Sequence, residues 1–301
     1  MSALGPDGAL PPGASAERLA GEARRVLDAC LEPGARVLLA VSGGADSVAL
    51  ALLVRRARPD LDAAVLHVRH GLRDDAADAA CAAEAADRLG LPFRAVEVTV
   101  DLRSGASGPE AAARSARYAA FRRTCREAGA RAVLAGHTAD DQAETVLLNL
   151  ARGAGLPGAA GMAADRTDES GLRLVRPLLR MRRADVRAVL PEAGLRWVED
   201  PTNLDPSQRR ARARREALPA LARLTGEGGD VVGALTRFAA HAGRESHALD
   251  VLAERELGRV GRRWGAVVAL PVARLAAMPE GLALRVLRAA VADLGVAALP
   301  A

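Results

Sequence analysis

Lysine is missing from this sequence: all 42 basic residues of the 301-residue chain are arginines. The absence excludes mechanisms that need a lysine side chain, such as the Walker A lysine, the protein-kinase lysine and a Schiff-base nucleophile. A phosphate site in this chain must therefore use backbone amides, arginine, a metal ion or a helix N-terminus.

Aromatic residues, cysteines and long apolar runs are also scarce. Aromatics make up 2% of the chain, too few for a groove in which successive bases stack on side chains. Cys30, Cys81 and Cys125 lie far apart and form no CxxC pair, so we expect neither a disulfide framework nor a zinc knuckle. We expect no signal peptide, and no apolar run is long enough to span a bilayer. These absences predict a cytoplasmic protein with no membrane partner.

The residues that are present indicate a globular α/β protein. Half of them are hydrophobic and 26% are charged, with a formal net charge of +5. The predicted strands cover residues 36–41, 62–68, 93–100 and 132–136, with helical patterns between them. Buried strands separated by helices imply a doubly wound, mostly parallel sheet. We predict a disordered N-terminus over residues 1–15, the α/β domain over 16–220 and a small all-helical domain over 221–301.

The sharpest local signal is a glycine-containing loop between a predicted strand and a predicted helix. Its residues are Ser42, Gly43, Gly44, Ala45, Asp46 and Ser47. Two glycines allow positive φ and a close approach to a ligand, and the amides of the helix N-terminus attract an oxyanion. Asp46 would repel phosphates unless it holds a Mg²⁺ ion that bridges them. A Gly-Gly turn is also a common way simply to begin a helix.

A second polar cluster follows the strand at residues 132–136. It begins at His137 and continues into a helix, on which Asp141 and Glu144 fall within one turn and face a common site. Carboxylates grouped near a phosphate loop suit Mg²⁺ binding or proton abstraction. The alternative is an N-terminal helix cap, because acidic residues in a first turn favour the helix dipole.

These motifs resemble the tRNA(Ile)-lysidine synthase family of the PP-loop ATP pyrophosphatases, over roughly residues 36–220. SGGxDS resembles the loop of enzymes that cleave ATP between the α and β phosphates and transfer AMP to an acceptor. The other segments that carry the resemblance are, in chain order, His67–Arg73, Glu110–Tyr118, His137–Thr145, Arg152–Met162, Arg176–Leu179, Asp200–Asn203 and Arg210–Arg214.

The resemblance implies a two-step ligase reaction that needs ATP, Mg²⁺, free L-lysine and a tRNA(Ile) with a CAU anticodon. ATP adenylates C2 of the wobble cytidine, and the amine of lysine then displaces AMP to form lysidine. The modified base pairs with A instead of G, so decoding changes from AUG to AUA. The resemblance also favours a homodimer.

The resemblance further implies roles for individual residues. The loop Ser42–Ser47 would bind ATP, and Asp46 and Asp141 would hold the metal. The implied catalytic residues are Asp46, Arg114, His137, Asp141 and Glu144. The residues implied in binding tRNA or substrate are His70, Arg73, Arg176, Arg210, Arg212 and Arg214. Twelve arginines against five acidic residues between positions 173 and 215 suit tRNA phosphates, although such a run is often only a solvated face.

Two other functions are compatible with some of these motifs. A 2-thiocytidine synthetase would share the SGGxDS loop, but it would use paired cysteines or an iron–sulfur cluster, and the three cysteines here offer no such pair. A non-catalytic RNA-binding module could keep the loop as a structural turn. The presence of Asp46, Asp141 and Glu144 together disfavours that module.

Overall fold

The structure, a computed structural model, describes residues 14–69, 75–100, 108–199, 209–226 and 229–295. Contacts divide the chain into two compact units. The first contains the residues up to Gln142 together with Ala163–Arg212, and the second contains Ala143–Met162 together with the residues from Ala213 onward. The predicted disordered segment 1–15 lies largely outside the described residues, and a helix already begins at Ala14.

The helices alternate with short strands along the first half of the chain. In chain order they are α1 (Ala14–Cys30), α2 (Ala45–Ala57), α3 (Ala76–Arg88), α4 (Gly108–Ala128), α5 (Ala139–Leu150), α6 (Leu156–Ala159), α7 (Arg183–Glu192), α8 (Arg209–Arg212), α9 (Leu218–Leu224), α10 (Val231–Val260), α11 (Val272–Ala276) and α12 (Glu280–Asp293). A π-helical turn, Ala213–Ala217, joins α8 to α9.

A six-stranded sheet forms the centre of the first unit. Its strands are β1 (Arg36–Ala40), β2 (Asp62–Arg69), β3 (Phe93–Glu97), β4 (Ala132–Ala135), β5 (Asp165–Thr167) and β6 (Arg173–Val175). Their order is β3-β2-β1-β4-β6-β5, and only the edge pair β5–β6 is antiparallel. The predicted doubly wound, mostly parallel sheet is confirmed. The sequence did not reveal β5 and β6, because three-residue strands carry almost no periodic signal.

Both faces of this sheet are covered. In β1, Val37 and Leu39 point into the core formed with α1, α2 and α7, while Leu38 points into the core formed with α4. This alternation follows from the two-residue period of a strand. Nine residues of α2 are buried, so this helix is apolar on nearly every side.

The strand order creates a switch point between β1 and β4. The chain runs from β1 outward to β2 and β3, and then continues on the other side of β1 with β4. Because Ala40 pairs with Ala135, the segments that follow these two strands emerge next to each other. In open α/β sheets, ligands bind outside the carboxyl ends of the strands at this point.

The second unit is mostly helical. Ala143, Leu218 and Val231 form its small core cluster, and α10 packs against α6 and α12. These contacts group Ala143–Met162 with the later helices, whereas the predicted division had placed that segment and residues 213–220 in the α/β domain.

A hairpin interrupts the helices of the second unit. Its strands are β7 (Arg262–Trp264) and β8 (Val267–Ala269), which pair antiparallel. The expectation of helices alone after residue 220 is therefore corrected here. Three-residue strands joined at a Gly-Ala tip are too short to show a strand period. Across the described ranges, no helix combines the length and apolar character needed to cross a membrane.

Candidate active site

The loop Ser42–Ser47 connects β1 to α2 at the switch point of the sheet. Gly43 has a φ of 90°, and a Cβ atom there would lie 2.6 Å from the backbone oxygen of Asp78. Only glycine therefore fits at this position. Gly44 has a φ of −76° and is the N-cap of α2, so the expectation of positive φ at both glycines is wrong for Gly44.

The two serines of the loop close it with hydrogen bonds. The Ser47 hydroxyl donates to the Gly44 carbonyl over 2.8 Å and accepts from the backbone N–H of Ser42 over 3.1 Å. The first amides of a helix have no intrahelical acceptor. The closed turn thus offers N–H donors and the positive end of α2 to an anion such as a phosphate.

Gly136 brings the end of β4 against the start of α2. A Cβ atom on Gly136 would lie 2.6 Å from the backbone oxygen of Asp46, so any larger residue would push the two segments apart. Sequence reasoning did not single out Gly136. Its position between a buried strand and His137 is the signal that indicates a close backbone approach.

Asp141 caps α5 and has an arginine partner as well. Its Oδ2 accepts from the backbone N–H and the hydroxyl of Thr138, both over 2.8 Å, in the manner of a capping box. Its Oδ1 accepts from Arg183 Nη2 over 2.8 Å. Burial acts to raise the pKa of Asp141, but Arg183, Thr138 and His137 outweigh it and hold that pKa below its usual value. The carboxylate is therefore ionised at neutral pH, and it does cap the N-terminus of α5.

Two arginines of α7 join the predicted metal ligands. Arg183 Nε lies 3.1 Å from Asp46 Oδ2, so the Arg183 guanidinium bridges Asp46 and Asp141. Arg187 Nε lies 2.9 Å from Asp46 Oδ1. Asp140 holds the start of α7 by accepting the Arg183 backbone N–H over 2.7 Å. Sequence reasoning missed both arginines, although their spacing of four residues on a helix places them on one face.

Asp46 and Asp141 suit a divalent cation together with a nucleotide. Their oxygens converge on one guanidinium, so this position already accommodates positive charge. Mg²⁺ is usually held by one or two carboxylates, with phosphate oxygens and water completing the shell. No group of three metal-binding side chains occurs among the described residues. A Mg²⁺ ion here would therefore depend on oxygens from a bound phosphate.

Glu144, one helical turn beyond Asp141, is fully buried. Both of its carboxylate oxygens accept from Arg214, with Nε–Oε1 at 2.7 Å and Nη2–Oε2 at 3.3 Å. Asp141 and Glu144 thus have different arginine partners. The structure brings Glu144, the predicted catalytic residue, together with Arg214, the predicted tRNA-binding residue, and both roles stay predictions.

His137 follows β4 and is neutral. Burial lowers its pKa to about 4, and the positive charges of Arg176, Arg210 and Arg114 act in the same direction, while Asp141 opposes them. Its Nδ1 is shielded from solvent and has no hydrogen-bond partner among the described residues. A neutral imidazole beside three arginines is suited to an anionic ligand, because the arginines attract the charge and the imidazole adds a hydrogen bond.

Arg114 and Arg176 differ in exposure although Tyr118 contacts both. Arg114 is exposed, its Nη2 donates to the Tyr118 hydroxyl over 2.8 Å, and its guanidinium carbon lies 4.7 Å from the ring centroid. Arg176 is buried, and its Nη1 donates to the Ala163 carbonyl over 2.7 Å. Burial lowers the pKa of Arg176, and a hydrogen bond with Tyr118 opposes that shift. Contact between Arg176 and tRNA stays a prediction.

The other predicted tRNA-binding residues fall into three groups. Arg212 is exposed and Arg210 is half-buried, so both can be reached from solvent. Arg214 is engaged with Glu144. His70 and Arg73 lie outside the described residues.

The cysteines are free thiols. Cys81 and Cys125 are buried, as small hydrophobic residues would be, and burial raises the pKa of both thiols. Cys81 also supports the loop, because its Sγ lies 3.4 Å from the Gly43 carbonyl and 3.3 Å from that of Arg196. Sequence reasoning did not foresee this contact, which joins residues far apart in the chain.

The low pKa of His137 predicts a dependence of stability on pH. Between pH 6.5 and about 4 the unfolded chain binds a proton at this residue and the folded chain does not. The free energy of unfolding therefore falls as the pH is lowered through this range, by about 3 kcal/mol at most. We expect His137→Asn to remove this part of the pH dependence of the free energy of unfolding, measured by urea unfolding. The same substitution at exposed His247 is the control, and equal slopes for both variants would contradict the prediction.

Sequence comparison identifies close relatives along most of the chain. Residues 17–221 match the PP-loop domain family. The chain is 46% identical over 292 residues to the tRNA(Ile)-lysidine synthase of Salinispora tropica, covering 95% of this chain and 84% of that protein. It is 44% identical over 282 residues to the tRNA(Ile)-lysidine synthase of Salinispora arenicola, covering 92% and 82%.

A solved structure shares the fold. The U34-tRNA thiolase NcsA from Methanococcus maripaludis, determined with its [4Fe-4S] cluster, superposes with a TM-score of 0.63. The sequences are 16% identical, and the match covers 76% of this chain and 79% of that one. At this identity the likeness concerns the fold alone.

Proposed function

We propose the reaction from a premise that the relatives establish: the chain belongs to the tRNA(Ile)-lysidine synthase family, and residues 17–221 contain its PP-loop domain. The protein is an ATP-dependent ligase. It joins free L-lysine to C2 of the wobble cytidine of a tRNA(Ile) with a CAU anticodon. ATP is cleaved to AMP and pyrophosphate, adenylated tRNA is the intermediate, and the lysidine formed changes decoding from AUG to AUA.

One observation carries this proposal. The serine-glycine loop lies at the switch point of the sheet, and the adjacent carboxylates of Asp46 and Asp141 meet at the Arg183 guanidinium. An anion-binding turn next to paired carboxylates is the arrangement that ATP with a divalent cation requires.

In the first step, the loop and its neighbours would bind and orient ATP. We assign the phosphates to the loop amides Gly43–Asp46 and Mg²⁺ to Asp46 and Asp141. When bound, Mg²⁺ supplies neutralisation of the phosphate charge. Arg183 supplies positive charge at both carboxylates, and Arg187 supplies it at Asp46. Because the chain has no lysine, arginine performs this task.

In the second step, His137 and the arginines around it would bind the adenylated intermediate. We assign the phosphate of its AMP group to Arg114 and neutral His137, with Arg210 and the buried Arg176 contributing positive charge nearby. Asp141 has a lowered pKa, which makes it a weak base, so its role is to attract and orient the lysine amine.

Glu144 has a different role in this proposal. Because both of its oxygens are bonded to Arg214, we propose that Glu144 orients Arg214 rather than contacting the substrate itself. Arg210 and Arg212, which can be reached from solvent, would contact tRNA phosphates. The second unit would hold part of the tRNA as well. A homodimer and a cytoplasmic location, where tRNA and free lysine are both present, complete the proposal.

The direct test is incorporation of labelled lysine. We expect the full-length protein, with ATP and Mg²⁺, to transfer lysine to unmodified tRNA(Ile) with a CAU anticodon and not to tRNA(Met). ATP cleavage to AMP with another RNA, without lysine transfer, would keep the PP-loop chemistry and reject the substrate. No ATP cleavage with any tRNA would reject the reaction.

A further inference from the structure

The hairpin of the second unit has one face turned toward α12. Arg263 and Val268 are paired across the strands and share this face. Arg263 Nη1 lies 2.8 Å from Asp293 Oδ2 at the end of α12, and Val268 is half-buried. The hairpin is therefore anchored by this face.

The opposite face of the hairpin is exposed. We call it the outer face, and it consists of Arg262, Trp264, Val267 and Ala269, which alternate with the anchored residues. Trp264 retains 63% of its accessible surface, and Val267, directly across from it, retains 58%. An indole and a neighbouring valine side chain thus stand together in solvent at the tip of the hairpin.

The exposure of Trp264 contrasts with the other tryptophan of the chain. Trp197 is partly buried against the main core, and its Nε1 donates to Glu199. Trp264 packs into no core cluster among the described residues. Tryptophan is a residue that usually buries its ring, so a large exposed ring beside another apolar side chain indicates a contact with a partner.

The charge around the outer face identifies the kind of partner. Positions 257–279 contain four arginines and no aspartate or glutamate. Arg259 and Arg263 are paired with Glu256 and Asp293, which leaves Arg262 as the positive charge on the outer face itself. Arg262 is exposed, and its Nη1 donates to the Gly261 carbonyl over 3.2 Å. It contacts no carboxylate among the described residues. A second copy of this face would meet its own positive charge, which opposes self-association. An aromatic ring beside an exposed guanidinium suits an unpaired nucleotide, whose base stacks and whose phosphate pairs with arginine.

We propose that the outer face binds one unpaired nucleotide of the tRNA, with Trp264 stacking on the base and Arg262 pairing with an adjacent phosphate. This inference rests on the proposed function, because it takes tRNA as the partner. It requires a single stacked base and is therefore compatible with the scarcity of aromatic residues in the chain.

The test measures tRNA binding by full-length variants. We expect Trp264→Ala to weaken binding of unmodified tRNA(Ile) by about tenfold or more, and Trp264→Phe to recover most of that loss because a ring remains to stack. We expect Arg262→Gln to lower the slope of log affinity against log salt by about one. Val272→Ala, at another exposed apolar residue of the second unit, is the matched control and should bind as the parent does. Adenylation at saturating tRNA should keep its kcat in all four variants, while the KM for tRNA rises in Trp264→Ala and in Arg262→Gln.

A second readout uses the fluorescence of the tryptophan itself. In the Trp197→Phe background only Trp264 emits, and we expect tRNA to quench it through stacking. Trp264→Ala that binds tRNA as tightly as the parent would overturn the inference. So would a change of oligomeric state in Trp264→Ala, or an emission change with anionic vesicles but not with tRNA. Failure of the parent itself to bind tRNA and incorporate lysine would overturn the proposed function instead. The experiment therefore distinguishes failure of the inference about the outer face from failure of the proposed function.

Discussion

Asp46→Asn is expected to reduce tRNA-dependent ATP–pyrophosphate exchange by about a hundredfold or more, with tRNA binding nearly unchanged. Asparagine keeps the shape of the side chain but loses the charge that meets Arg183 and Arg187 and that we assign to Mg²⁺. Transition-state charge on the phosphates would then be poorly neutralised. The tRNA contacts that we propose involve other residues, so affinity for tRNA should remain.

The matched control for this variant is Asp62→Asn. Asp62 also pairs with an arginine, at 2.6 Å from Arg36 Nε, but it lies at the start of β2, the opposite end of the sheet from the loop. We expect its exchange rate to equal that of the parent. Normal exchange in Asp46→Asn, or loss of tRNA binding with exchange preserved, would show that the phosphate site has been placed wrongly.

The central sheet could be predicted because its signals are local. Each of the four predicted strands overlaps an observed strand, such as 36–41 with Arg36–Ala40 and 132–136 with Ala132–Ala135. The glycine loop and His137 were placed at strand ends for the same reason. Once the strands are known, parallel pairing brings these ends together.

The arginine partners of the carboxylates could not be predicted, because each pair joins distant parts of the chain. Asp46 and Arg183 are separated by 137 residues, and Glu144 and Arg214 by 70. In a chain whose basic residues are all arginine, composition does not distinguish a guanidinium that faces a carboxylate from one that faces solvent. From the sequence, the whole excess of arginine between positions 173 and 215 therefore suits tRNA equally well. In the structure, Arg183, Arg187 and Arg214 each pair with a carboxylate.

The pair of Glu144 and Arg214 predicts a large effect on stability. Arg214→Met removes the guanidinium that bonds both oxygens of a fully buried carboxylate, and breaking a buried pair costs about 3–5 kcal/mol. Because a third of the Arg214 side chain is exposed, we expect the lower end, about 3 kcal/mol less free energy of unfolding, measured in urea with the m-value unchanged. The exposed Arg212 is the matched control, and Arg212→Met should change stability by less than about 0.5 kcal/mol.

The double variant decides whether the pair itself is responsible. Glu144→Leu with Arg214→Met removes both charges, so the desolvation cost of the buried carboxylate disappears and most of the lost stability should return. Arg214→Met should also reduce lysine incorporation if Glu144 orients this arginine for tRNA, and the double variant should then regain stability without regaining activity. A stable Arg214→Met protein that has lost only tRNA affinity would mean that Arg214 turns away from Glu144 to contact the tRNA directly. Recovery of both stability and activity in the double variant would instead mean that the pair acts only in folding.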